Sequence, residues 1–156
     1  VALATAARLG RDGHPVQHLF LVGSVLGSSD PQQVASAGPR SDAEIRDFLA
    51  RVTRLDGLAD LPEEGWADLA AAFRYDVTCA RELCADLLRT GWVLDRPATL
   101  LIGSDDPVIA AEPDPGRTWS VLAPDLEVAL LDGGGHYLNT TRPHELADRL
   151  DQALGR

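Results

Sequence analysis

The chain has 156 residues, 45% hydrophobic and 24% charged, enough for one globular domain with its own core. Its 14 basic residues, all arginine, face 24 acidic ones for a net charge of −10; this argues against nucleic acid as a ligand and removes lysine Schiff-base and lysine-base chemistry. No apolar tract is long enough to span a bilayer, residues 1–9 lack the basic start of a secretory signal, and methionine is absent, so we expect a soluble cytoplasmic protein whose start is processed or truncated.

Residues 1–11 place Val1, Leu3, Ala4, Ala7 and Leu9 largely on one side of a helix that has no N-cap residue, so its start is expected to lie upstream. The run HLFLV at 18–22, closed by Gly23, predicts a strand buried on both faces, as in parallel sheets covered by helices. Residues 24–40 are rich in Gly, Ser, Pro and Gln and predict a long loop. Ser41-Asp42-Ala43-Glu44 is a capping-box pattern, opening a helix with Ile45, Phe48, Leu49 and Val52 on one stripe. Pro62 reads as the first residue of a second helix carrying Trp66, Leu69, Ala70 and Phe73. A third helix over 75–89 carries Val77, Ala80, Leu83, Cys84, Leu87 and Leu88. Its two cysteines, Cys79 and Cys84, belong to no CxxC or Cys/His array and are expected to be buried, reduced thiols. Metal binding is not predicted.

The sheet resumes with ATLLI at 98–102, followed by Gly103-Ser104-Asp105-Asp106-Pro107. A short helix is predicted at 117–122, then a strand LEVALL at 126–131 that runs into Asp132-Gly133-Gly134-Gly135-His136. The last helix starts near Thr141 or Arg142, with Pro143 in its first turn, and runs through Leu146, Leu150 and Leu154. The order is helix, strand, three-helix insertion, strand, short helix, strand, helix. That alternation predicts an α/β layered fold with a parallel sheet of three strands.

Ligand sites in open α/β sheets lie beyond the carboxyl ends of the strands. Two strands end there in a reactive side chain on a tight turn, Asp105-Asp106 after ATLLI and His136 after LEVALLDGGG. A carboxylate and an imidazole brought together make two parts of a nucleophile, base and orienting-acid relay. The glycines before His136 suit a loop that carries one side chain over the strand ends.

With these residues in view, the sequence resembles the α/β-hydrolase superfamily, and within it the thioesterases of nonribosomal peptide and polyketide synthesis, the type II enzymes especially. VALATAARL looks like the helix after the nucleophile elbow, HLFLVGS like the sixth strand, and RPATLLIGSDDPV like the seventh strand with its acid turn. LDGGGHYLNTTRPHELADRL looks like the histidine loop and final helix, and the helices within about 41–90 like the mobile lid. The resemblance implies that residues 1–156 are the C-terminal part of one such domain. It maps the catalytic acid to Asp106, counted from Gly103, with Asp105 as the alternative, and the base to His136. The position after the sixth strand, where many terminal thioesterase domains carry the acid, reads Gly23-Ser24, which favours the type II arrangement.

The departure lies in the nucleophile, since no G-x-S-x-G occurs. Ser24, Ser28 and Ser29 do not sit on a strand-to-helix elbow, so the attacking serine and both oxyanion-hole donors are expected upstream of Val1. The resemblance implies hydrolysis of acyl or aminoacyl thioesters held on the phosphopantetheine of an acyl or peptidyl carrier protein. It implies no other cofactor, and neither nucleic acid nor membrane as partner. Trp66, Leu69, Phe73 and Leu83 are the candidate apolar lining of the lid, packing of the lid on the body being their alternative role. Arg46, Arg51 and Arg54, with Asp47 and Asp56 among them, read as a solvated face, with carrier docking as the alternative. Other readings are an esterase or lipase on the same fold, or an inactive module that binds a carrier or synthetase.

Overall fold

The computed structural model describes residues 2–36, 41–52, 60–112 and 114–155. Strands β1 (Leu19–Val22), β2 (Ala98–Gly103) and β3 (Leu126–Leu131) form one parallel sheet in the order β1-β2-β3. β2 is central, and all six of its residues are buried. Its side chains alternate between two apolar layers, as the strand pleat requires. Ala98, Leu100 and Ile102 join Leu19, Leu21, Trp119 and Leu122 on one face. Leu101 joins Ala129, Leu131 and Leu138 on the other, backed by the half-buried Phe20, Leu146 and Leu150. This is why ATLLI is apolar without alternation. β3 is an edge strand of the sheet, and Val128 and Leu130 on one of its faces are exposed.

The first layer is closed by α1 (Ala2–Arg11), which buries Leu3, Ala6 and Ala7. Val1 lies outside the described residues, and Leu9 is exposed, so the buried stripe is centred one residue from the one expected. The second layer is closed by α6 (Leu138–Thr141) and α7 (Pro143–Ala153), with Leu154 already exposed. His18 stands just before β1, bonded to the Thr99 hydroxyl and stacked on Phe20.

Between β1 and β2 run α2 (Pro31–Ser36), α3 (Asp42–Val52) and α4 (Glu63–Thr90). The expected loop over 24–40 therefore contains a helix. Asp30 caps it by accepting from the Gln32 amide at 2.9 Å, Pro31 supplies the preset first φ, and Val34 is buried. The capping box forms as written: Glu44 accepts from the Ser41 amide at 2.9 Å, and Ser41 Oγ from the Glu44 amide at 3.3 Å. Two helices expected at 62–73 and 75–89 are instead one helix of 28 residues, because no Gly or Pro interrupts Phe73-Arg74-Tyr75. Pro62 is its N-cap rather than its first residue, and Gly91, at φ 65°, ends it in the left-handed conformation. No described helix is long and apolar enough to cross a membrane.

A 3₁₀ turn (Ile109–Ala111) and α5 (Pro115–Trp119) connect β2 to β3. α5 starts two residues earlier than expected, since the Asp114 side chain caps it through the Arg117 amide at 3.0 Å. Neither the 3₁₀ turn nor α6 was expected from the apolar pattern, both being shorter than its period can register.

Candidate active site

The site grows out of the β2 and β3 ends. Register carries Gly103 beside Leu131, and the pairing continues into the turn, where the Ser104 amide donates to the Leu131 carbonyl at 3.0 Å. The chain then turns sharply, the Asp106 amide donating back to the Gly103 carbonyl at 3.2 Å. This sends the two adjacent carboxylates in opposite directions. Asp105 is exposed, and its Oδ1 accepts from the Ser104 hydroxyl at 3.2 Å. Asp106 is wholly buried, its Oδ1 accepting from the Val108 amide at 2.8 Å and its Oδ2 lying 2.9 Å from His136 Nδ1.

The histidine arrives on a loop packed tightly against the strand ends at Gly134. A Cβ on Gly103 would stand 2.0 Å from the Gly134 carbonyl oxygen, and one on Gly134 would stand 2.6 Å from Leu138 Cδ2. Gly23, at the end of β1, touches the same loop: a Cβ there would be 2.5 Å from the His136 carbonyl oxygen. Backbone packs on backbone at all three strand ends. Arg142 clamps the loop from outside, donating to the Asp132 carbonyl and, at 2.8 Å, to Glu145.

A carboxylate only accepts, so the 2.9 Å contact requires Nδ1 to carry the proton and leaves the Nε2 lone pair of the neutral ring available as a base. The His136 side chain is 18% exposed, and among the described residues Nε2 has no hydrogen-bond partner. The Phe48 ring on α3 and the Tyr137 ring stand edge-on to the imidazole at 6.4 and 5.1 Å. His136 opens into a cavity of about 110 Å³ lined also by Arg51, Val52, Pro107, Tyr137 and Thr140. A larger cavity, about 630 Å³ and mostly apolar, lies between α1, β1, α2 and α4, with Phe20, Val25, Val77, Cys84 and Trp119 in its wall. The Trp119 indole N–H donates to the Ser24 carbonyl at 3.0 Å, tying the segment after β1 to α5.

The four residues singled out for a lid lining stand elsewhere. Trp66, Leu69 and Phe73 pack with Ile45, Phe48 and Leu49 between α3 and α4, and Leu83 is 36% exposed; none lines either cavity. Arg46 bonds Glu63 and lies over the Trp66 ring at 4.8 Å, while Arg54 and Asp56 fall outside the described residues. Both cysteines are free, but half-buried rather than buried. Burial pushes the Cys84 thiol up and keeps it from thiolate chemistry. Among the described residues no group of His, Cys, Asp and Glu could hold a metal ion. Sequence reasoning missed Phe48 and Arg51 as neighbours of His136. Their spacing with Val52 puts the three on one helix face, but nothing in the sequence says what that face meets.

The chain matches the thioesterase-domain family model over residues 1–154. It is similar to RedJ, whose structure has a PEG molecule bound in the active site, at 27% identity and TM-score 0.52, covering 99% of this chain and 58% of RedJ. It is also similar to YbtT, the type II thioesterase from the yersiniabactin NRPS/PKS biosynthetic pathway, at 16% identity and TM-score 0.60, covering 95% of this chain and 58% of YbtT. Potato (Solanum tuberosum) epoxide hydrolase I aligns at 15% identity and TM-score 0.51, covering 99% of this chain and 66% of that enzyme. The two likenesses of lower identity show the shared α/β-hydrolase fold alone. No curated protein matches the sequence.

Proposed function

The chain belongs to the thioesterase-domain family, and from that premise we propose that it is the C-terminal part of a type II-like thioesterase of nonribosomal peptide or polyketide synthesis. The substrate is an acyl or aminoacyl group held as a thioester on the phosphopantetheine of an acyl or peptidyl carrier protein. The observation that carries the reading is the contact of the wholly buried Asp106 with His136 Nδ1 at 2.9 Å, inside a chain of this family.

In the mechanism, a serine upstream of Val1 presents its hydroxyl to His136 Nε2. The imidazole takes that proton as the serine oxygen attacks the thioester carbonyl, and Asp106 stabilises the imidazolium. The C–S bond breaks, an acyl-serine remains, and His136 returns the proton to the departing sulfur. A thiol, with a pKa of about 8.5, leaves as thiolate far more readily than an alkoxide, so the acid step is undemanding. Water, deprotonated by the same Nε2, then attacks the acyl-serine; the serine recovers its proton and the carboxylic acid departs. The helices between β1 and β2 act as the lid over the acyl chain. Their Val77 and Cys84 also stand in the wall of the apolar cavity against β1, which we assign to that chain.

The test is a comparison, on the full-length protein, of acyl-pantetheine thioester and matched oxygen-ester hydrolysis. A preference for the thioester in kcat/KM is expected; a strong preference for free esters would replace the reading with an esterase, and no hydrolysis of either with an inactive binding module.

A further inference from the structure

Among the described residues Arg51 stands in no ion pair. Arg46, Arg74, Arg89 and Arg142 each stand in an ion pair with a carboxylate. Among the described residues Arg51 makes one hydrogen bond, from Nε to the Asp47 carbonyl at 3.3 Å, one helical turn back. That bond fixes the stem of the guanidinium and leaves its two terminal nitrogens for another acceptor. The direction is set by α3: Phe48, Arg51 and Val52 share a face, and Phe48 meets His136 edge-on.

Arg51 lines the cavity of about 110 Å³ that contains His136 and Thr140 and one of about 320 Å³ that runs to Val108 and Glu112, as well as an open surface recess with Glu44, Asp47 and Ala50 of its own helix. The carboxylates in those walls, Asp105 and Glu112, form no ion pair with it among the described residues. In a chain of net charge −10, Arg51 brings a positive charge next to the imidazole, into walls that also hold Asp105 and Glu112. A guanidinium fork matches the two oxygens of a carboxylate or phosphate, which a hydrated ammonium does not.

We propose that Arg51 binds an anionic oxygen group of the substrate in the cleft beside His136, with the Thr140 hydroxyl as a second donor. The proposal rests on the thioesterase reading. Two sources carry that chemistry: the phosphodiester of the pantetheine arm, and a carboxylate at the far end of the acyl group. Either would be drawn to Arg51, the one Arg among the described residues of the cleft walls, and held within one cavity of the base.

The test uses the full-length protein and amide-linked analogues, which bind without turning over. Three are compared by calorimetric titration: a neutral acyl-pantetheine, the same acyl group on phosphopantetheine, and a dicarboxylic half-acyl group on pantetheine. One anionic analogue should bind on the order of tenfold more tightly than the neutral one, as a charged hydrogen-bonded contact implies, and which one it is names the source. Arg51→Ala should remove that preference, Arg51→Lys should restore only part of it, and raised salt should narrow it. Equal binding of all three by the parent protein, or a preference that survives Arg51→Ala, overturns the proposal. Hydrolysis of a neutral thioester on the same protein reports on the thioesterase reading separately, so hydrolysis without anion preference removes the role of Arg51 alone.

Discussion

At the ends of β2 and β3 the site is fixed by backbone against backbone, whereas α3 and α4 are held to each other by side chains. In the first region Gly103 touches the Gly134 carbonyl and Gly23 the His136 carbonyl, so the histidine loop has one way to lie. In the second, Ile45, Leu49, Trp66 and Ala70 form a small core of their own, and the Arg46–Glu63 and Arg74–Asp42 pairs join the helices at the surface. Exposed pairs contribute about 0.2–1 kcal/mol each, and a buried large apolar side chain about 1.5–3, so the apolar cluster dominates that joint. Near His136 the helix pair contributes the Phe48 ring edge and the Arg51 side chain. The difference teaches that Asp106 and His136 are positioned by strand register, while α3 and the first half of α4 pack in an apolar cluster of their own, the second half of α4 laying Cys84, Leu87 and Leu88 on the main core. Such clusters are the usual material of moving elements.

Two substitutions sharpen this contrast. Gly103→Ala has the larger expected effect, because the new Cβ would stand 2.0 Å from a backbone oxygen that no rotamer change can move. The loop must shift, the Asp106–His136 contact opens, and kcat/KM should fall by about 10³ or more, with about 1–3 kcal/mol of stability lost to overpacking. Wild-type kinetics and melting would show that the strand ends are less tightly packed than described. Trp66→Ala should cost about 3–5 kcal/mol locally, through the cavity left between α3 and α4, yet lower turnover far less. Hydrogen exchange should quicken in α3 and the first half of α4 while β2 amides stay protected. Equal loss of protection in β2 would mean that the two regions are one cooperative unit.

The sheet was legible because its physics is local: a continuous apolar run such as ATLLI has one cheap fate, burial on both faces. The meeting of Asp106 with His136 followed, since strand ends of a parallel sheet share an edge, and the turn after Gly103 separates Asp106 from Asp105 by a single backbone hydrogen bond. The helical insertion was read less well. Helical periodicity runs through Phe73-Arg74-Tyr75 without a break, so the division into two helices had no physical cause behind it. α2 was hidden by its Ser- and Gly-rich flanks although Asp30-Pro31 is a start signal. Trp66, Leu69 and Phe73 sit on an apolar stripe, and a stripe reports that something is covered without naming the partner. Phe48 and Arg51 were unreadable as site residues for the same reason: their neighbour His136 is far away in sequence.

The proposed catalysis depends on Asp106 holding His136 as a base. Asp106→Asn in the full-length protein keeps the shape of the buried side chain but turns an amide N–H toward Nδ1, which forces the proton onto Nε2 and blocks the base. Measured as kcat/KM on an acyl-pantetheine thioester, the loss should be on the order of 10⁴-fold with native-like melting. Near-normal turnover in a folded Asp106→Asn protein would contradict the account.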